Sequence, residues 1–397
     1  MVDIWATVKG FEHDIVSWRR QIHATPELGG EEIETSALVA KLLRQWGLEA
    51  IEGVAGTGVV AILRGEQAGH CVALRADMDA LPVAENTGLP FASKIPGRMH
   101  ACGHDGHTAM LLGAAKVLST MRKSLKGTVK FFFQHAEECA PHGGAKGMVE
   151  AGVMEDPAVD FVFALHLWPE IPFGKIGVKS GPLMSASDRL HIEIHGKGGH
   201  GAAPHQAVDA VVVASQVVNA LQTIVSRQVD PLDSVVVTIG KLAAGQRYNV
   251  IAPTAQMDGT VRTQNEAIRR CLPAQITRLV KSVAAAFGAT AEVNYEFGYP
   301  TLINHEDGVD IIVRAAQDVF GPDSTITLDR PSMGGEDFAH FLHQASGAMF
   351  WLGCRGINTP NYPLHNAQFD FDESVLARGT AVMVRAVTLA LGRDSNA

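Results

Sequence analysis

Eight consecutive residues, His100-Ala101-Cys102-Gly103-His104-Asp105-Gly106-His107, carry a thiol, three imidazoles and a carboxylate. Thiolate, imidazole and carboxylate are the donors that hold zinc and related divalent metals. Such crowding is rare without a metal, although a helix start capped by Asp105 uses the same residue types. Three further segments place donors where strands end. Gln134-His135-Ala136-Glu137-Glu138 follows the apolar run 129–133, and ligands of open α/β sheets bind outside the carboxyl ends of strands. Two adjacent carboxylates there can divide labour. One holds metal, and the other, pointing elsewhere, serves as general base toward a water. Alone, the pair would be solvated glutamates opening a loop. His166 closes the run 161–165, and His365 lies in Tyr362-Pro363-Leu364-His365-Asn366 before the last helical stretch. Each alone is an ordinary hydrogen-bonded histidine, and both gain weight only jointly with the first two segments. Asp79, in Asp77-Met78-Asp79-Ala80-Leu81-Pro82, is placed either to fix the tautomer of a ligating imidazole or to make a turn.

The elements that must position these residues alternate. Ile4, Val8, Phe11, Ile15, Trp18 and Ile22 recur at helical spacing and predict one helix ended by Pro26. A second helix runs from about Glu31 to Gly47. Short strands follow at 59–63 and 71–74, then a helix at 107–121, a strand at 129–133, a helix at 144–151 and a strand at 161–165. Buried strands alternating with helices predict an α/β fold with a mostly parallel sheet. After Pro182 the period changes to two at 190–194. A helix at 207–225, strands at 235–242 and 255–262, a helix at 266–287 and a strand at 291–297 then give the order of a ferredoxin-like α+β sandwich. After Pro300 the first pattern resumes, with a helix at 307–319, a strand at 348–352 and a helix from Asp372. The expected organisation is one α/β domain in two parts, 1–184 and 298–397, interrupted by an inserted α+β domain at 185–297.

Composition narrows the functional classes. The chain has 397 residues, a net charge of −9 and 17 histidines. The negative balance argues against nucleic acid, which is gripped by basic patches. Five cysteines, an odd number, are not a disulfide framework. Asp3, Lys9, Glu12 and Asp14 interrupt any leading apolar run, and no uninterrupted apolar run reaches 18 residues. No secretory signal, membrane span or membrane partner is therefore expected, and a cytoplasmic protein is the default.

The segments RADMDALP, HACGHDGHTAM, AEE after an apolar strand, GGHGAAPH, NVIAP, GGEDF and PLHN stand in this order over nearly the whole chain. Together they resemble the dinuclear-zinc family of aminoacylases, hippurate hydrolases, auxin-conjugate amidohydrolases and related carboxypeptidases. The Cys of the CGH motif is similar to the amidohydrolase branch, where carboxypeptidase branches carry Asp. The resemblance implies an α/β metallohydrolase domain with an inserted ferredoxin-like dimerisation (lid) domain. It implies two divalent ions per subunit, zinc first, with manganese, cobalt or nickel able to share the ligands. Cys102, His104, Glu138, His166 and His365 match the metal ligands, with Cys102 bridging. Glu137 matches the catalytic base and Asp79 the aspartate behind a ligand. His107 matches no ligand, and the His135 imidazole, where several relatives have proline, would neighbour Glu137. His200 matches a histidine that reaches across a dimer to steady the oxyanion. Asn249 and Arg262 match positions that hold the substrate's carboxylate, and Gly334 borders the substrate. Without the resemblance, His200 is an exposed hairpin tip and Arg262 a surface residue. The implied activity is hydrolysis of N-acyl amino acids, hippurate-like or N-acetyl, by a homodimer. The alternatives are a dipeptidase or carboxypeptidase of the same fold, and a non-catalytic metal-binding scaffold.

Overall fold

The computed structural model describes residues 3–356 and 361–393. The chain divides into two compact units. One comprises Met1–Leu183, Ile303–Pro331 and Asp337–Ala397, and the other Met184–Leu302 with Ser332–Glu336.

The first unit is built on an eight-stranded sheet. Its order is Glu49–Val54, Gly58–Arg64, Lys126–Gln134, Gln67–Asp77, Phe161–Pro172, Ser346–Arg355, Ile176–Val178 and Thr325–Thr327. The centre is parallel: Lys126–Gln134, Gln67–Asp77, Phe161–Pro172 and Ser346–Arg355 pair in sequence across it. These strands are apolar on both faces, as in Phe131, Phe132 and Phe133 or Val162, Phe163 and Ala164, all buried. Burial on both sides is what parallel strands covered by helices require. The helices His104–Thr120, Glu306–Phe320 and Val375–Leu391 pack against the sheet and each other. The edge differs from expectation, and the sheet is mixed. Glu49–Val54 and Gly58–Arg64 form an antiparallel hairpin, and Gly58–Arg64 runs antiparallel to Lys126–Gln134. A three-residue connection leaves no room for a crossover, so only antiparallel pairing is open to it.

Three further elements depart from the sequence reading. The N-terminal helix is two helices, Ile4–Gly10 and Glu12–Ala24. They break at Phe11, whose N–H turns back to the Val8 carbonyl at 2.9 Å. The predicted strand 71–74 runs over Gln67–Asp77, and the predicted strand 161–165 extends to Pro172. His166 therefore lies within a strand, paired with Trp351, and does not close it.

The second unit is a four-stranded antiparallel sheet in the order Val235–Ala244, Thr254–Thr263, Ala186–His195, Thr290–Tyr299. This is the ferredoxin-like order, second-third-first-fourth. Leu190, Ile192 and Ile194 alternate into a core shared with Val213, Val217 and Leu221 of the helix Ala210–Thr223 and with Leu272, Ile276 and Val280 of the helix Glu266–Ala286. By length and composition 210–228 is apolar enough to cross a membrane, with a mean hydropathy of 1.2. Its apolar stripe is spent on the sheet, the pattern of an amphipathic core helix.

Candidate active site

Four segments of the first unit carry the ligand-type side chains to one place. The helix His104–Thr120 starts at His104, and Gly103 before it takes φ 89°. A Cβ there would stand 3.0 Å from Leu167, so only glycine allows the turn that presents Cys102 and His104 together. The strand Lys126–Gln134 delivers Glu137 and Glu138 one turn past its end, through Ala136 at φ 54°. The strand Phe161–Pro172 supplies His166. His365, itself at φ 65°, is tied to the CGH segment by its N–H, which donates to the Ala101 carbonyl at 2.8 Å. Left-handed backbone at non-glycine residues is costly and persists where surrounding structure enforces it. Here it falls on two of the four segments.

Ligand atoms of Cys102, His104 and His166 lie within 4.8 Å of one another, as do those of Cys102, Glu138 and His365 and those of His104, Glu137 and Glu138. Cys102 thus belongs to two triplets. Its Sγ is 3.5 Å from His166 Nε2, and His365 Nε2 is 3.0 Å from Glu138 Oε1. Asp79 stands behind them: Oδ1 is 3.1 Å from His104 Nδ1, and Oδ2 accepts the Glu138 N–H at 2.8 Å.

The electrostatics of the site call for cations. Burial, then Glu138, Glu137 and Asp77, push the Cys102 thiol well above its usual range. Burial lowers His104, but Asp77, Asp79 and Glu138 outweigh it and raise the imidazole to about 10. Burial, joined by His107, holds His166 well below the usual imidazole value, hence neutral and able to donate a lone pair. His104 Nε2 is buried and makes no hydrogen bond among the described residues. A divalent ion held there would satisfy that nitrogen and would supply the positive charge needed to ionise the thiol. The donor set fits a metal pair.

His107 is not available as a ligand. Its Nε2 accepts the Leu167 N–H at 2.9 Å, so Nδ1 carries the proton and donates to Asp77 Oδ1 at 2.6 Å. Asp77 also takes Arg75 Nη1 at 2.6 Å, and Arg75 Nη2 reaches Asp337 at 3.0 Å. Gln134 donates to Asp337 at 2.8 Å. The sequence reading passed over this buried network, although Arg75 inside the apolar run CVALRAD was a signal, since a charge in a central strand is buried only when paired. His135 packs its ring against the turn containing Gly56 and Gly58, and burial lowers its pKa.

His200, Asn249, Arg262 and Gly334 belong to the second unit. The short strand Gly199–His200 pairs with Val250–Ile251, and the Gly201 N–H donates to the Asn249 carbonyl at 2.9 Å. His200 Nδ1 accepts the Ala202 N–H at 3.0 Å, which leaves Nε2 as the protonated, outward donor of the neutral ring. Arg262 Nε donates to Thr260 Oγ1 at 3.0 Å. A Cβ at Gly335 would lie 3.0 Å from Arg262 Nη1, so the Gly334-Gly335 turn makes room for the guanidinium.

Thiol, imidazole and carboxylate groups beside a second carboxylate, gathered around the parallel centre of a mixed sheet, are the donor set of a metallohydrolase centre. The model of Peptidase family M20/M25/M40 matches residues 73–389, and the chain belongs to this family. It is 49% identical over 295 residues to the N-acyl-L-amino acid amidohydrolase of Geobacillus stearothermophilus, covering 74% of this chain and 79% of that one. It is 43% identical over 375 residues to thermostable carboxypeptidase 1 of Saccharolobus solfataricus, covering 94% of each. The fold matches the crystal structure of the Bacillus subtilis YXEP protein, a dinuclear metal binding peptidase from the M20 family, with a TM-score of 0.83 and 36% identity, over 97% of this chain and 99% of that one.

Proposed function

We propose that the chain is a metal-dependent amidohydrolase that removes the acyl group from an N-acyl amino acid, releasing a carboxylic acid and a free amino acid. The observation that carries this reading is the Cys102 double triplet with Glu137 and Glu138 beside it, in a chain whose relatives include an N-acyl-L-amino acid amidohydrolase. When bound, a pair of divalent ions supplies Lewis acidity that polarises the amide carbonyl and lowers the pKa of water. Cys102, His104, Glu138, His166 and His365 would hold the pair, and zinc suits this mixture of soft and imidazole donors. Asp79 fixes the His104 ring and the Glu138 backbone with its two oxygens. Glu137 takes the proton of the attacking water and returns it to the leaving nitrogen. His200, donating through Nε2, stabilises the developing oxyanion. Arg262 and Asn249 receive the free carboxylate of the amino acid, for which the planar guanidinium fork is suited.

Arg262→Ala weakens substrates with a free carboxylate far more than their carboxamide analogues. A charge-assisted hydrogen bond contributes on the order of 1.5–3 kcal/mol, so kcat/KM for the acid falls roughly tenfold or more. Equal losses for acid and amide would make Arg262 a structural residue.

The site is shared between two copies of the chain. Supporting this, His200 is exposed, and the edge strand Val235–Ala244 of its unit shows Val236 and Leu242 to solvent, an edge that needs covering. Mixing Glu137→Gln with His200→Ala under conditions of subunit exchange restores activity, because one site of each mixed dimer then has both residues intact. No recovery, with exchange verified independently, rejects the sharing and leaves the metal chemistry standing.

A carboxypeptidase of the same fold is the second reading, favoured by the Saccharolobus relative. It too demands recognition of a free carboxylate beside the scissile amide. A side-by-side assay of benzoyl-glycine and Gly-Gly separates the two.

A further inference from the structure

We propose that Glu32 is a positioning residue for the catalytic base: its carboxylate clamps the backbone N–H of Ala136 and thereby fixes where Glu137 points. The proposal rests on Glu137 being the base. Glu32 is fully buried and sits at the N-cap of the helix Ile33–Gln45, with its carbonyl accepting the Ser36 N–H at 3.1 Å. The helix is a rigid mount. Oε1 accepts the Ala136 N–H at 2.7 Å. Oε2 accepts the hydroxyl of Thr57, and the Thr57 carbonyl accepts the hydroxyl of Ser36. The ring of bonds closes on the helix that carries Glu32, so the carboxylate has one orientation.

Ala136 is held at φ 54°, a region that a residue with a Cβ enters only under constraint. Two residues on, the Glu138 N–H is held by Asp79 Oδ2 at 2.8 Å. The amides on both sides of Glu137 are thus each tied to a fixed carboxylate. The turn before Glu32 also packs on this loop: a Cβ at Gly29 would stand 3.0 Å from Ala136 Cα and 3.2 Å from Asp79 Oδ2. Releasing the Ala136 N–H lets its φ relax to the ordinary regions, which swings the residue that follows. Displacement of a reacting group by about 1 Å can cost on the order of 100-fold in rate, while ligands and substrate contacts stay in place.

The test compares metal-loaded Glu32→Gln and Glu32→Met with the parent, reading kcat, KM, bound metal and melting temperature. Glutamine keeps an oxygen acceptor for Ala136, so its kcat stays within about threefold of the parent. Methionine fills the space without an acceptor, and kcat falls about 10- to 100-fold with KM and metal content little changed. Adding Ala136→Gly to Glu32→Met recovers several-fold in kcat, because glycine enters the left-handed region freely. A kcat for Glu32→Met equal to the parent's, equal losses in Gln and Met, or a loss that tracks metal content overturns the proposal. Where Glu32→Met gives no folded protein, Thr57→Val removes the hydroxyl that orients the carboxylate and must itself lower kcat about threefold with KM unchanged; no loss there also overturns it. Glu137→Gln runs in parallel: full turnover in that variant sinks the base assignment and not the clamp alone.

Discussion

Glu137→Gln loses at least roughly 100-fold in turnover and keeps its metal. The glutamine amide has the shape of the carboxylate but no basic oxygen, so it cannot take the water proton or return it to the leaving nitrogen, and general-base contributions run at 10²–10⁴-fold. Glu138→Ala fails differently. Glu138 shares a triplet with Cys102 and His365, and its truncation lowers metal occupancy. Metal content measured beside kcat therefore separates the two neighbours. Near-normal turnover in Glu137→Gln would move the base to Glu138 or to another group.

Removal of metal abolishes activity, and a divalent ion restores it. The proposed ligands come from four segments spread between Cys102 and His365, yet the core of the first unit, with Val72, Phe131, Phe163 and Phe350 all buried, does not depend on them. The metal-free protein therefore stays folded, which circular dichroism checks. Without metal, Asp77, Asp79 and Glu138 outweigh burial and hold the His104 imidazole up at about 10, and burial with Glu138 and Glu137 holds the Cys102 thiol well above its usual value, so both favour the protonated form at neutral pH. Loading expels those protons, and metal affinity rises with pH. Full activity in prolonged chelator, with metal shown absent, would refute the mechanism.

The densest part of the candidate ligand set was legible in the sequence because it is local. Cys102 and His104 are two residues apart and need only one tight turn at Gly103. His166 and His365 had no such signature and rested on resemblance. The strand holding His166 was read too short, because Trp168, Pro169 and Pro172 hide its continuation to Pro172. The hairpin strand Glu49–Val54 is mostly exposed, so no apolar alternation marked it. Glu32 left no trace, since its partner Ala136 lies 104 residues away and GGEEIETS resembles any helix start. Short-range donor crowding survives in one dimension, while a side chain that acts on a distant backbone amide does not.

Which bond is cut is tested most directly by offering metal-loaded protein benzoyl-glycine and Gly-Gly in separate reactions, with benzoate and glycine measured as products. Benzoyl-glycine is hydrolysed, Gly-Gly is cut far more slowly, and Glu137→Gln loses at least roughly 100-fold in both reactions. Cleavage of Gly-Gly with benzoyl-glycine left intact, or no hydrolysis of any N-acyl amino acid by protein shown to hold its metal, would contradict the proposed function.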